Sequence, residues 1–68
     1  MSKKIEELEK AIADYTKAIS IDPNDAKAYY NRGNAYFDLG ELEEALDDYT
    51  KAISIDPNDA KAYYHRGI

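Results

Sequence analysis

The chain has 68 residues, nine Lys and Arg against fourteen Asp and Glu, and no cysteine. That is one small domain, unable to form a disulfide or a thiolate metal site and left to helix packing or self-association for stability. A net charge of −5 offers no basic stripe for phosphate, which excludes nucleic acid and anionic membranes as expected partners.

No apolar run approaches the ~20 residues of a membrane span. The opening "MSKKIEELEK" lacks the apolar segment of a secretory leader, so the expectation is a chain that is cytoplasmic if natural.

The first element is a helix. In "IEELEKAIADYTKAISI" the apolar residues Ile5, Leu8, Ile12, Tyr15 and Ile19 recur at spacings of three and four, with Ala11 and Ala18 beside them, which makes one apolar face. Ser2 is placed to cap its start, and Glu6–Lys10 has the favourable i,i+4 order. Asp22-Pro23 ends it, because proline pushes the preceding residue out of the α region. Asn24 or Asp25 then caps a second helix, "AKAYYNRGNAYFDL", which Gly40 stops. A third helix, "ELEEALDDYTKAISI", runs to Asp56-Pro57, and a fourth, "AKAYYHRGI", follows Asn58-Asp59. The fold class is therefore all-α, four helices joined by short turns.

The chain repeats itself. "YTKAISIDPNDAKAYY" occurs at 15–30 and again at 49–64, and residues 7–34 match 41–68 at 23 of 28 positions. The differences are Lys10/Glu44, Ile12/Leu46, Ala13/Asp47, Asn31/His65 and Asn34/Ile68. Such near-identity implies recent duplication or design. A period of 34 residues is the sign of a helical array in which each unit buries its face on the next.

Residues 26–59, with Tyr29, Gly33, Tyr36, Ala45, Tyr49, Ala52 and Pro57 in place, resemble one tetratricopeptide (TPR) repeat, a 34-residue helix–turn–helix. Arg32 and Arg66 stand where the family often has Leu. The resemblance implies a TPR-like antiparallel solenoid whose helices run in B-A-B-A order. Residues 1–25 are then helix B of an incomplete repeat, 26–59 a complete repeat, and 60–68 the start of a further helix A. The residue chemistry agrees. Gly33 has no Cβ and permits close helix approach, although a mid-helix glycine costs ~1 kcal/mol against alanine.

Twice 34 is 68, so a second copy would continue the array in register. The expected partner is therefore another copy of the chain, through Ile5, Leu8 and Ile12 on the first helix and Tyr63 and Ile68 on the last. A two-fold dimer is the other solution, with Gly40 straightened and hairpins exchanged.

The resemblance also implies a concave groove lined by A helices. It would take a peptide or protein segment on Lys27, Tyr30, Asn34, Phe37 and Asp38, with Lys61 and Tyr64. Tyrosine suits such recognition because it offers a large amphipathic surface at low entropy cost. Lys27, Asn31 and Asn34 suggest a clamp for a terminal carboxylate, but Tyr30 and Tyr64 stand where that clamp has lysine.

Arg32 and Arg66 each follow a tyrosine pair. A buried guanidinium needs a partner, and Asp14 and Asp48 are the available acceptors. "IDPND" lacks the glycine and distal Glu of a calcium loop and reads as a cap and turn. His65 is expected to face solvent. No nucleophile–base set or phosphate-binding loop is visible, so neither catalysis nor a cofactor or metal is expected.

Overall fold

The computed structural model describes residues 2–57, as three α-helices with no strand among them. α1 spans Ser2–Ile21, α2 Ala26–Leu39 and α3 Leu42–Ile55. The expected fourth helix, with Lys61, Tyr63, Tyr64, His65 and Ile68, lies outside the described residues, as does the capping role expected of the Ser2 hydroxyl.

The helix boundaries follow the local chemistry. At both seams the aspartate before proline closes the preceding helix: the Asp22 N–H donates to Ala18 O at 2.9 Å and the Asp56 N–H to Ala52 O at 2.8 Å. Asp56 has already left the helical region, with φ −128 and ψ 87, as a residue before proline must. Between α1 and α2, Asp22 Oδ1 accepts from the Asn24 N–H at 3.1 Å. Asp25 is the cap of α2, and its Oδ1 accepts from the Ala28 N–H at 3.1 Å. This satisfies one of the free donors at a helix start. α3 begins without a side-chain cap but carries Glu43 and Glu44 in its first turn, where the helix dipole favours negative charge.

Gly40 makes the turn from α2 into α3. Its φ is +83, and its N–H donates to Phe37 O at 3.0 Å while the Glu41 N–H donates to Tyr36 O at 2.9 Å. This paired pattern ends a helix through a left-handed residue, a conformation that only glycine adopts without strain. Gly40 thus folds α2 and α3 back on one another within a single chain.

The hairpin is antiparallel. Tyr29 and Tyr30 pack on Ala52 and Ile53, and a few residues later Gly33 packs on Tyr49 and Ala45. Partners on α3 recede as α2 advances. α2 also packs against α1, so it lies between two helices and buries Ala28, Gly33 and Ala35. The buried face of α3 is Ala45, Asp48, Tyr49, Ala52 and Ile53. The body measures 35 × 29 × 15 Å.

Tyr49 is the largest side chain fully enclosed among the described residues, at 1% exposure. It fits because Gly33 faces it: a Cβ there would stand 2.8 Å from Tyr49 Cε1, 2.9 Å from Cδ1 and 3.2 Å from the Ala45 carbonyl oxygen. The close approach expected of Gly33 is made against this ring, with Ala45 and Ala52 small on the same helix face.

Candidate functional site

Arg32 ties the three helices together. Its Nε donates to Asp48 Oδ2 at 2.8 Å and its Nη2 to Asp48 Oδ1 at 2.7 Å, while Nη1 donates to Thr16 Oγ1 on α1 at 3.1 Å. The Thr16 hydroxyl in turn donates to Ile12 O at 2.7 Å. The two-pronged geometry is the one a planar guanidinium makes best with a carboxylate. The Arg32 Cζ also stands 5.5 Å from the Tyr29 ring centre and 5.9 Å from that of Tyr36, within range of a favourable cation–π contact.

The hydrogen bond to Asp48 is the main cause that raises the Arg32 pKa above its ordinary value, with burial acting against it. Of the two acceptors considered from sequence, Asp48 is the partner. Asp14 is exposed. The part of Thr16 was not foreseen, since a lone threonine on a helix gives no sign of what lies across from it.

The Tyr49 hydroxyl donates to Asn34 Oδ1 at 2.6 Å. Its ring stands 5.8 Å from that of Tyr30, tilted by 46°. Burial pushes the Tyr49 pKa up to about 12, with the nearby Tyr30, Asp38 and Asp48 adding to the effect.

These contacts sort the residues expected to line a groove. Lys27, Tyr30, Asn34 and Phe37 fall at three- and four-residue intervals on α2, with Asp38 adjacent. Lys27, Phe37 and Asp38 are exposed. Tyr30 and Asn34 are half-buried and hold the hairpin, Tyr30 against the Ala52–Ile53 cluster and Asn34 through Tyr49. Lys61 and Tyr64 lie outside the described residues.

Two further surfaces are open. Near the start of α1, Lys4, Ile5 and Leu8 line an open hollow of about 460 Å³ with Asp38 and Leu39 of α2. Ile5 is exposed there, while Leu8 and Ile12 are half-buried. On α3, Leu42 and Leu46, which match Leu8 and Ile12 in the repeat, are exposed.

α1 shows the reverse pattern. Its Ala11, Tyr15, Ala18 and Ile19 are only half-buried, yet they match Ala45, Tyr49, Ala52 and Ile53, all buried on α3. No helix among the described residues is long and apolar enough to cross a membrane.

A family model described as tetratricopeptide repeat matches residues 26–59, and a second, described as TPR repeat, matches residues 4–40. No match was found among curated proteins.

Proposed function

The chain belongs to the tetratricopeptide repeat family, and from that premise we propose that it is a self-associating interaction module, its open ends completing the repeat stack between copies. Tetratricopeptide repeats mediate protein–protein interaction and are typically non-catalytic. On this reading α1 is helix B of an incomplete repeat, α2 and α3 are a complete repeat over 26–59, and residues 60–68 begin another helix A.

The observation that carries the proposal is the difference between two matching helices. α3 encloses Ala45, Tyr49, Ala52 and Ile53 under α2, while α1 leaves Ala11, Tyr15, Ala18 and Ile19 half-open. Burying apolar surface is worth roughly 25 cal/mol per Å², so a face built for a neighbouring helix favours acquiring one. Light scattering coupled to size-exclusion chromatography, run across concentration, tests this. A mass rising above the 7.7 kDa of one chain is expected. A constant monomer mass with cooperative unfolding at micromolar concentration overturns it.

The second reading is a peptide-binding scaffold on the outer stripe of α2. The exposure of Phe37, 40%, between Lys27 and Asp38 favours it. Phe37→Ala and Lys27→Ala are its tests, because Tyr30 and Asn34 also hold the fold. Loss of peptide binding with unchanged unfolding supports it, and binding unaffected by both removes it.

A further inference from the structure

We propose that the face of α1 formed by Ala11, Asp14, Tyr15 and Ala18 docks a helical segment of a partner protein that carries arginine directly before glycine, with Asp14 receiving the guanidinium. The inference goes beyond self-association and stands without it.

The site is read from its twin. On α3 the face Ala45, Asp48, Tyr49 and Ala52 is buried, and α2 is what packs on it. The same residue types recur on α1 as Ala11, Asp14, Tyr15 and Ala18. α1 is an unbroken helix through them, so its backbone presents the four side chains at α3's spacing. The differences between the two stretches, Lys10/Glu44, Ile12/Leu46 and Ala13/Asp47, all spare this face. Yet Asp14 is exposed and makes no hydrogen bond or ion pair among the described residues. Ala11, Tyr15 and Ala18 are only half-buried.

α2 lies elsewhere on α1. It borders Leu8, across the hollow from Leu39, and reaches Thr16 through Arg32. At 3.6 residues per turn, those positions stand about a third of a turn round the helix from the centre of the open face. Two helices can therefore lie against α1 at once.

The chemistry of the occupant follows from the way α2 sits on α3. Arg32 forks onto both Asp48 oxygens. Gly33 leaves room for the Tyr49 ring, and Tyr29 and Tyr30 pack on Ala52 and Ile53. On α1, Ile19 stands in the place of Ile53. The occupant is thus a helix reading Tyr-Tyr-x-Arg-Gly: the arginine for Asp14, the glycine for Tyr15, the tyrosines for Ala18 and Ile19. Lysine would not substitute for the arginine, since an ammonium cannot make the paired bonds. α2 of a second copy is not available, because its Arg32 and Gly33 are engaged in its own hairpin. A partner's amphipathic helix laid on an apolar face is a common mode of recognition.

The probe is a synthetic peptide of residues 26–39, "AKAYYNRGNAYFDL", labelled for fluorescence anisotropy. It is titrated with the full chain at a concentration where light scattering gives the mass of a single chain. Saturable binding is expected, with amide shifts in nuclear magnetic resonance centred on Ala11, Asp14, Tyr15 and Ala18. Asp14→Asn in the chain should weaken it at least ~10-fold, about 1.4 kcal/mol, with the unfolding curve unchanged because Asp14 is exposed. Arg32→Lys in the peptide should weaken it as much. Gly33→Ala in the peptide should also weaken it, although alanine makes the better helix, because its Cβ would meet the Tyr15 ring.

A peptide that does not bind overturns the proposal. So does binding that is indifferent to Asp14→Asn, or a Gly33→Ala peptide that binds as well as the parent. Shifts centred instead on Asp48 and Tyr49 would mean that the peptide displaces α2, and overturn it too. A chain that is monomeric at every concentration yet takes up the peptide in this pattern supports the docking site and overturns the self-association reading alone.

Discussion

Gly33→Ala should destabilise this protein even though alanine is the better helix former. The substitution gains ~1 kcal/mol of helix propensity. Against that, the new Cβ would sit 2.8 and 2.9 Å from two ring carbons of Tyr49 and 3.2 Å from the Ala45 carbonyl oxygen. A carbonyl within α3 cannot yield without moving the helix, and the ring has little room to turn because Tyr49 is 1% exposed with its hydroxyl held by Asn34. Overpacking of a tight core costs ~1–3 kcal/mol.

With a backbone carbonyl and an enclosed ring both in the way, the upper part of that range, ~2–3 kcal/mol, should apply, leaving a net loss of about 1–2 kcal/mol. At ~4–8 °C per kcal/mol for a domain of this size, the thermal midpoint should fall by roughly 5–15 °C. Urea unfolding followed by circular dichroism measures the difference, and a cycle with Tyr49→Leu isolates its cause. Once the ring is gone, Gly33→Ala should become neutral or stabilising, giving a coupling of at least about 1 kcal/mol. A Gly33→Ala chain as stable as wild type, or a penalty unchanged in the Tyr49→Leu background, would refute the packing account.

A Cβ at Gly40 would meet nothing within 4 Å, but the residue holds φ +83, so Gly40→Ala should cost about 1–2 kcal/mol from backbone strain alone; Gly40→Asn should cost less in the same urea titration. Arg32→Lys should lose about 1–3 kcal/mol, because it keeps the charge but breaks the fork to Asp48 and the reach to Thr16. Stability equal to wild type would show that charge alone suffices.

Stability should also fall at alkaline pH. The Tyr49 pKa rises from 10.0 to about 12 in the fold, so between those values the unfolded chain releases a proton that the native one retains. The contribution is fully present below pH 10 and lost as pH rises toward 12, up to about 2–3 kcal/mol at ~1.4 kcal/mol per pKa unit. Unfolding of Tyr49→Phe across this range should show a shallower decline than wild type, and parallel curves would contradict the assignment.

Much of this molecule was legible in the order of its residues. Periodic apolar spacing marked α1, and Asp22-Pro23, Gly40 and Asp56-Pro57 marked off α2 and α3 from it, because helix propagation depends on backbone chemistry within a few residues. The glycine at position 33 announced a close approach, since its conformational cost within a helix calls for compensation. The family resemblance rested on the same local signs.

Tertiary structure decided the pairings. Asp14 and Asp48 sit in near-identical stretches, and no local rule separates them, yet Asp48 grips Arg32 while Asp14 stands in solvent. Tyr30 and Asn34, which the resemblance placed in a groove, also touch Tyr49 across the hairpin, a contact no local rule announces. The physical reason is that helix formation is decided along the chain, whereas burial and ion pairing are decided by what lies alongside. α3 has α2 over its small-residue face; the matching face of α1 has no such cover among the described residues.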